Sequence, residues 1–156
     1  RLGLKPNIVT FNTLLDACAK AGDIASAVTL WERMAEMGLA PTGITYNTMV
    51  NVCAKATDAK LSEVWMEKMF AGCGAPSAVC FGTVITALAK AGKVAKAEQW
   101  LARMKCSGVA PGRKAYNSMI LACTNAELMQ RAEGWLSTMQ ANGFQPDERT
   151  YALLIH

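Results

Sequence analysis

All five prolines of the chain, Pro6, Pro41, Pro76, Pro111 and Pro146, stand 35 residues apart. Other residues keep the same step. An aromatic ring follows each proline by five positions, at Phe11, Tyr46, Phe81, Tyr116 and Tyr151. A methionine precedes each of the last four by seven, at Met34, Met69, Met104 and Met139. Glycine stands three before the proline at Gly3, Gly38, Gly108 and Gly143, and Cys73 breaks that series. A period of this length running from end to end is the mark of stacked repeats. Each repeat is too small to bury its apolar face alone and completes the core of its neighbour.

Spacing inside the period predicts two amphipathic helices per repeat. In the first half the apolar residues are Phe11, Leu14, Leu15 and Cys18, then Tyr46, Met49, Val50 and Cys53, which fall on one helical face. The second half has Ala27, Leu30, Trp31 and Met34, matched by Ala97, Trp100, Leu101 and Met104 and by Ala132, Trp135, Leu136 and Met139. These aromatic, tryptophan and methionine stripes are read as core. Gly22 and Gly92 fit the left-handed position that ends the first helix. Thr57 and Glu127 replace that glycine, so those two turns are expected to be built differently. After each proline comes Asn7, Thr42, Ser77, Gly112 or Asp147, four of which are good helix N-caps. The fold class expected is all-α, a right-handed superhelical α-solenoid of helix-turn-helix repeats. Residues 1–7 end a preceding repeat, 8–42, 43–77, 78–112 and 113–147 are four repeats, and 148–156 begin a fifth. Opening on Arg1 and stopping inside a helix, the chain reads as a piece of a longer array.

Composition narrows the function classes. A net charge of +4 on 156 residues is compatible with a polyanionic partner but far from a basic tail. Cys18, Cys53 and Cys123 share one repeat position with Leu88, and a site that accepts leucine or cysteine is a packing site. No CxxC pair is present and the one histidine is His156, so neither a zinc site nor any other cofactor is expected. Residues 69–89 carry no charge, about the length of a membrane span. They contain Pro76, Gly72, Gly74 and Gly82 and stay in register with the other repeats, so they read as an uncharged repeat instead.

The stretch V-T-F-N-T-L-L-D-A-C-A-K-A-G at residues 9–22, repeated as I-T-Y-N-T-M-V-N-V-C-A-K-A at 44–56, resembles the first helix of the pentatricopeptide repeat family, in its simple 35-residue class. The tetratricopeptide repeat fits less well: its period is about 34, and it wants a small residue where Leu15, Val50, Ile85 and Ile120 stand. The resemblance covers essentially the whole chain. It implies binding of single-stranded RNA, one nucleotide per repeat.

By that resemblance, bases are read by the residue six after each proline and the residue just after the next proline. The pairs are Asn12 with Thr42, Asn47 with Ser77, Gly82 with Gly112, and Asn117 with Asp147. The family code makes Asn with Ser resemble a cytosine pair, Asn with Asp a uracil pair and Asn with Thr a pyrimidine pair; two glycines have nothing to read with. Val9, Ile44 and Val79 take the base-sandwiching position, from which Lys114 and Arg149 depart. Lys20, Lys55 and Lys90 take the phosphate position, where a cation also complements the helix dipole. Physical chemistry supports the asparagines independently. Asn costs roughly 0.5 kcal/mol or more against Ala inside a helix, yet its amide meets a base edge with both a donor and an acceptor. A local hydrogen bond near the helix start is the competing account.

Two functions are compatible with this pattern. The first is a non-catalytic, single-stranded RNA-binding module, pyrimidine-biased, acting on the stability, processing or translation of an organellar transcript in chloroplast or mitochondrion. The second is a protein-protein scaffold within an organellar ribosomal or membrane-associated complex. The Asn and Lys rows favour the first, and the uncharged third repeat favours the second. No deaminase motif and no carboxylate cluster of a metal nuclease is present, and the chain is not expected to be an enzyme.

Overall fold

A computed structural model describes residues 3–155. Among the described residues all regular structure is helical: α1 (Ile8–Ala21), α2 (Ile24–Glu36), α3 (Gly43–Lys55), α4 (Ala59–Gly72), α5 (Ala78–Lys90), α6 (Val94–Cys106), α7 (Arg113–Asn125), α8 (Met129–Ala141) and α9 (Glu148–Leu154). No helix is long and apolar enough to cross a membrane, the uncharged stretch included. The chain divides into two compact units, residues 1–76 and 77–156. In the first, α1 packs on α3, and each of them on the helix that follows it. In the second, α5 packs on α7 and α7 on α9, with α6 and α8 as the outer partners.

Each first helix starts where the sequence supplies a cap. Asn7 Oδ1 accepts from Thr10 N at 3.0 Å and Asp147 Oδ1 from Thr150 N at 2.8 Å. Ser77 Oγ accepts from Cys80 N at 3.4 Å. Thr42 uses its backbone instead, its N–H donating to Thr45 Oγ1 at 3.1 Å. Gly112 starts α7 with no side chain to contribute. Losing such a cap costs roughly 0.5–2 kcal/mol.

The turns inside the hairpins correct one expectation. Thr57 (φ 62°) and Glu127 (φ 58°) take the same left-handed conformation as Gly22 (φ 67°) and Gly92 (φ 66°). All four turns close with the same two bonds. Thr57 N donates to Ala54 O and Asp58 N to Cys53 O, as Gly22 N does to Ala19 O and Asp23 N to Cys18 O. A side chain in this conformation costs roughly 1–2 kcal/mol. Packing of the two helices of the hairpin fixes the turn and outweighs that cost.

The stripes form the core. Leu15, Met34, Met49 and Val50 are fully buried in the first unit, and Ile120, Cys123, Ala132 and Met139 in the second. Each buried Leu, Ile or Met contributes roughly 1.5–3 kcal/mol. Trp31 stands edge-on to Tyr46 (5.0 Å between centroids) and to Trp65 (4.7 Å), tying α2, α3 and α4 together. Tyr116 meets Phe144 in a tilted arrangement, with centroids 5.7 Å apart. Two members of the stripes lie outside the core. Leu14 is 46% exposed and Tyr151 48%. The main packing partners of α1 are α2 and α3 and that of α9 is α7, and these two residues lie away from those contacts.

The cysteines are free thiols, with Cys53, Cys80 and Cys123 buried, Cys18 half-buried, and Cys73 and Cys106 exposed. Burial first, and Asp58 second, push Cys53 up to about 11, so its thiol stays protonated and unreactive at neutral pH. Among the described residues no group of three or more His, Cys, Asp or Glu could hold a metal ion.

Candidate nucleic-acid interface

The first turn of each first helix presents one residue outward three positions after the proline. Val9 is 65% exposed, Ile44 67% and Val79 63%. Three aliphatic side chains in water at one register stand out in helices whose other large aliphatics, Leu14 apart, are buried or half-buried. Behind each, a hydroxyl at the fourth position onward bonds back to its carbonyl: Thr13 to Val9 O at 2.8 Å, Thr48 to Ile44 O at 2.9 Å and Thr83 to Val79 O at 2.9 Å. Those threonines are spoken for by their own helix.

One turn further along stand the asparagines. In the first unit Asn12 is half-buried, and its Oδ1 is fully buried with no hydrogen-bond partner among the described residues. A buried acceptor left unmade costs roughly 1–3 kcal/mol. Thr42, predicted to act with Asn12, is exposed, and its hydroxyl pairs with Thr45 Oγ1 at 3.2 Å. Asn47 is half-buried in the same unit. Its predicted companion Ser77 belongs to the second unit, where its hydroxyl caps α5 and contacts Cys80 Sγ at 3.4 Å.

In the second unit Asn117 and Asp147 come together through a residue that sequence reasoning did not single out. Thr150 Oγ1 lies 2.8 Å from Asn117 Oδ1 and 2.8 Å from Asp147 Oδ1. A hydroxyl has one proton, so it serves one acceptor at a time. Asp147 also faces Arg113 Nη1 at 3.5 Å. Hydrogen bonds from Thr150, backbone first, and then Arg113 hold the Asp147 carboxyl below the usual range. Gly82, at the asparagine position of α5, is buried, and a Cβ there would have no atom within 4 Å. Gly112 likewise has open space.

The three lysines of the phosphate row end α1, α3 and α5 and are exposed. Lys20 is held at 2.9 Å by Asp16 one turn back, an exposed pair of little energetic weight. Asn125, their counterpart in α7, instead donates from Nδ2 to Ala89 O at 3.0 Å, closing the end of α5. Lys90 borders a cavity of about 510 Å³ that also takes in Asn117, Asp147, Lys114 and Arg149. Sequence reasoning missed Thr150, Asn125 and the Thr86 to Ser118 hydroxyl pair at 2.9 Å. All three bonds span 32 to 36 residues, so comparing residues one period apart is the signal that finds them.

Comparison with solved structures places the fold. The pentatricopeptide repeat protein PPR10, in complex with an 18-nt psaJ RNA element, is similar at a TM-score of 0.85 and 28% identity over 98% of this chain and 22% of that one. PPR10 from maize in another crystal structure gives 0.75 with the same identity and coverage. The pentatricopeptide domain of Arabidopsis thaliana protein-only RNase P 1, in complex with tRNA, gives 0.81 at 16% identity, over 98% of this chain and 81% of that one. The chain thus spans about a fifth of PPR10. Comparison with curated proteins gave no significant match. The PPR repeat family model matches residues 6–55, 76–125 and 111–156, and a second PPR repeat model matches 44–71. With paired helices in each unit, the α-solenoid likeness and family matches over most of its length, the chain belongs to the PPR repeat family.

Proposed function

We propose that the chain is a non-catalytic module that binds single-stranded RNA, about one base per repeat, on organellar transcripts. The observation that carries this reading is the row of solvent-exposed aliphatic residues Val9, Ile44 and Val79 at one register. A water-exposed branched side chain suits the flat face of an unstacked base, and an amide one turn away suits its edge. Asn12, half-buried one turn after Val9, brings an amide to the register where a base edge would lie. The RNA bound by PPR10, 28% identical over this length, supports the same ligand class. Read in chain order, the pairs Asn12 with Thr42, Asn47 with Ser77 and Asn117 with Asp147 give pyrimidine, C, any base, U, on the sequence pattern alone.

A protein scaffold is the second reading, favoured by the charge balance of residues 1–76, which hold seven Lys and Arg against seven Asp and Glu. Fluorescence anisotropy at low salt with a short RNA of that order, and with the same bases permuted, separates the two. RNA recognition predicts about tenfold discrimination for each mismatched base, equivalent to about 1.4 kcal/mol. Equal affinity for both RNAs, with no effect of Asn12→Ala, defeats base reading.

A further inference from the structure

The whole net charge of the chain lies in its second half. Residues 77–156 hold nine Lys and Arg against five Asp and Glu, whereas residues 1–76 are balanced. Much of that excess converges on the cavity of about 510 Å³, lined by Lys90, Arg113, Lys114 and Arg149 with Asp147 as the single acid. Arg113 is the one of the four with an anionic partner among the described residues, and that contact is long at 3.5 Å. Lys90, Lys114 and Arg149 line the same cavity with Asp147 as its one acid, which leaves the lining with an excess of positive charge. Leu121 and Leu153 give the cavity part of its wall. Apolar walls in a concave site focus the field and favour an anion.

Lys114 and Arg149 stand at the register that holds Val9, Ile44 and Val79 in the other first helices. Two consecutive replacements of an aliphatic platform by cations change the kind of grip available. An aliphatic face holds a base, whereas paired cations hold a phosphate, and arginine does so with two parallel N–H bonds. Asn117 and Asp147 share the cavity and supply what a phosphate cannot use, an amide and an acceptor for the N–H of a base. An acidic peptide brings carboxylates but no ring whose N–H groups Asp147 could accept from. A phosphodiester strand brings one charge per unit and, beside it, a polar ring.

We propose that this cavity is a phosphate subsite for the backbone of a single-stranded nucleic acid, built by Arg113, Lys114 and Arg149, where charge replaces the aliphatic platform. The proposal rests on the RNA-binding reading but concerns the backbone, so the two fail separately. The test uses the whole chain and a short abasic deoxyribose-phosphate strand, which has the backbone and no bases. Amide chemical shifts and the salt dependence of affinity are measured for the native chain and for Lys114→Gln with Arg149→Gln, both exposed and compatible with folding. The expected result is shifts at Lys114, Asn117 and Arg149, and a log-log salt slope lower by about 0.7 for each cation removed. Shifts confined to residues 1–76, or an unchanged slope in the double variant, overturn the subsite. Equal shifts with inorganic phosphate mark a simple ion site, and equal shifts with polyglutamate mark a protein groove; either also overturns it. If the subsite passes while permuted RNA binds as well as the ordered one, base reading alone has failed.

Discussion

The two units use the same helical hairpin, yet present different chemistry. In residues 1–76 the outward positions are Val9 and Ile44, the charges cancel, and Asn12 holds a buried oxygen with no partner. In residues 77–156 the corresponding positions of α7 and α9 are Lys114 and Arg149, and Asn117 is already tied to Thr150. The first unit therefore keeps a buried acceptor with no partner among the described residues, and the second keeps an excess of cations. One backbone offers dispersion and a base edge at one end and electrostatics at the other. A repeat fold allows this because the residues of the core and those of the outward face occupy separate registers.

The sharpest way to break this contrast is to remove the asparagine on each side. Asn12→Ala removes a buried acceptor that costs roughly 1–3 kcal/mol and adds a better helix former. It should stabilise the free chain by about that amount while weakening RNA binding. Asn117→Ala loses a hydrogen bond to Thr150 of about 1 kcal/mol, which offsets its propensity gain of about 0.5 kcal/mol. Urea denaturation should therefore show a rise for the first and none for the second. Equal shifts of the same sign would remove the distinction between the two asparagines.

Helix caps sharpen the contrast at a smaller scale. The second helix of each hairpin in the first unit starts on an aspartate, Asp23 accepting from Ser26 N at 3.1 Å and Asp58 from Leu61 N at 2.9 Å. In the second unit the same positions are Lys93 and Leu128, with no side-chain cap. Lys93→Asp and Leu128→Asp should each add about 1 kcal/mol, and Asp23→Ala or Asp58→Ala should each remove about as much. Thermal midpoints read both directions. No gain from either aspartate would mean that those helix starts already have their N–H groups satisfied.

Helix pairing, caps and core stripes were legible because they depend on residues within a few positions of each other. Phe11 to Leu15, or Asn7 to Thr10, is a local relation that spacing exposes. The left-handed Thr57 and Glu127 were misread for the opposite reason: intrinsic preference argued against the conformation, and hairpin packing imposed it. In the candidate site the register of Val9, Ile44 and Val79 came from the family resemblance, and their exposure is what the structure adds. Thr150 holding Asn117, Asn125 closing α5, and the convergence of Lys90 and Arg149 each join residues from different hairpins. Polarity along the chain does not reveal which neighbours a side chain meets one repeat away.

The smallest effect is one on which the units should agree. Hydrogen bonds from Ser26, side chain first and then backbone, lower the pKa of Asp23, and those from Thr150 lower that of Asp147. A carboxyl with a folded pKa below its unfolded value of about 3.9 binds its proton more weakly in the native state. Its contribution is fully present above the unfolded pKa and is lost as the pH falls through the folded one. Each unit has one such aspartate at a helix start, α2 in the first and α9 in the second. Acidification below about pH 4 should then loosen both. Amide hydrogen exchange at Ser26 and Thr150 would rise over the same narrow range, with Asp23→Asn and Asp147→Asn each abolishing the acid dependence at its own helix. A rise at only one helix would mean that the two capping aspartates, alike in their bonds to the backbone, differ in the charge around them, the Arg113 contact of Asp147 being the one present to make that difference.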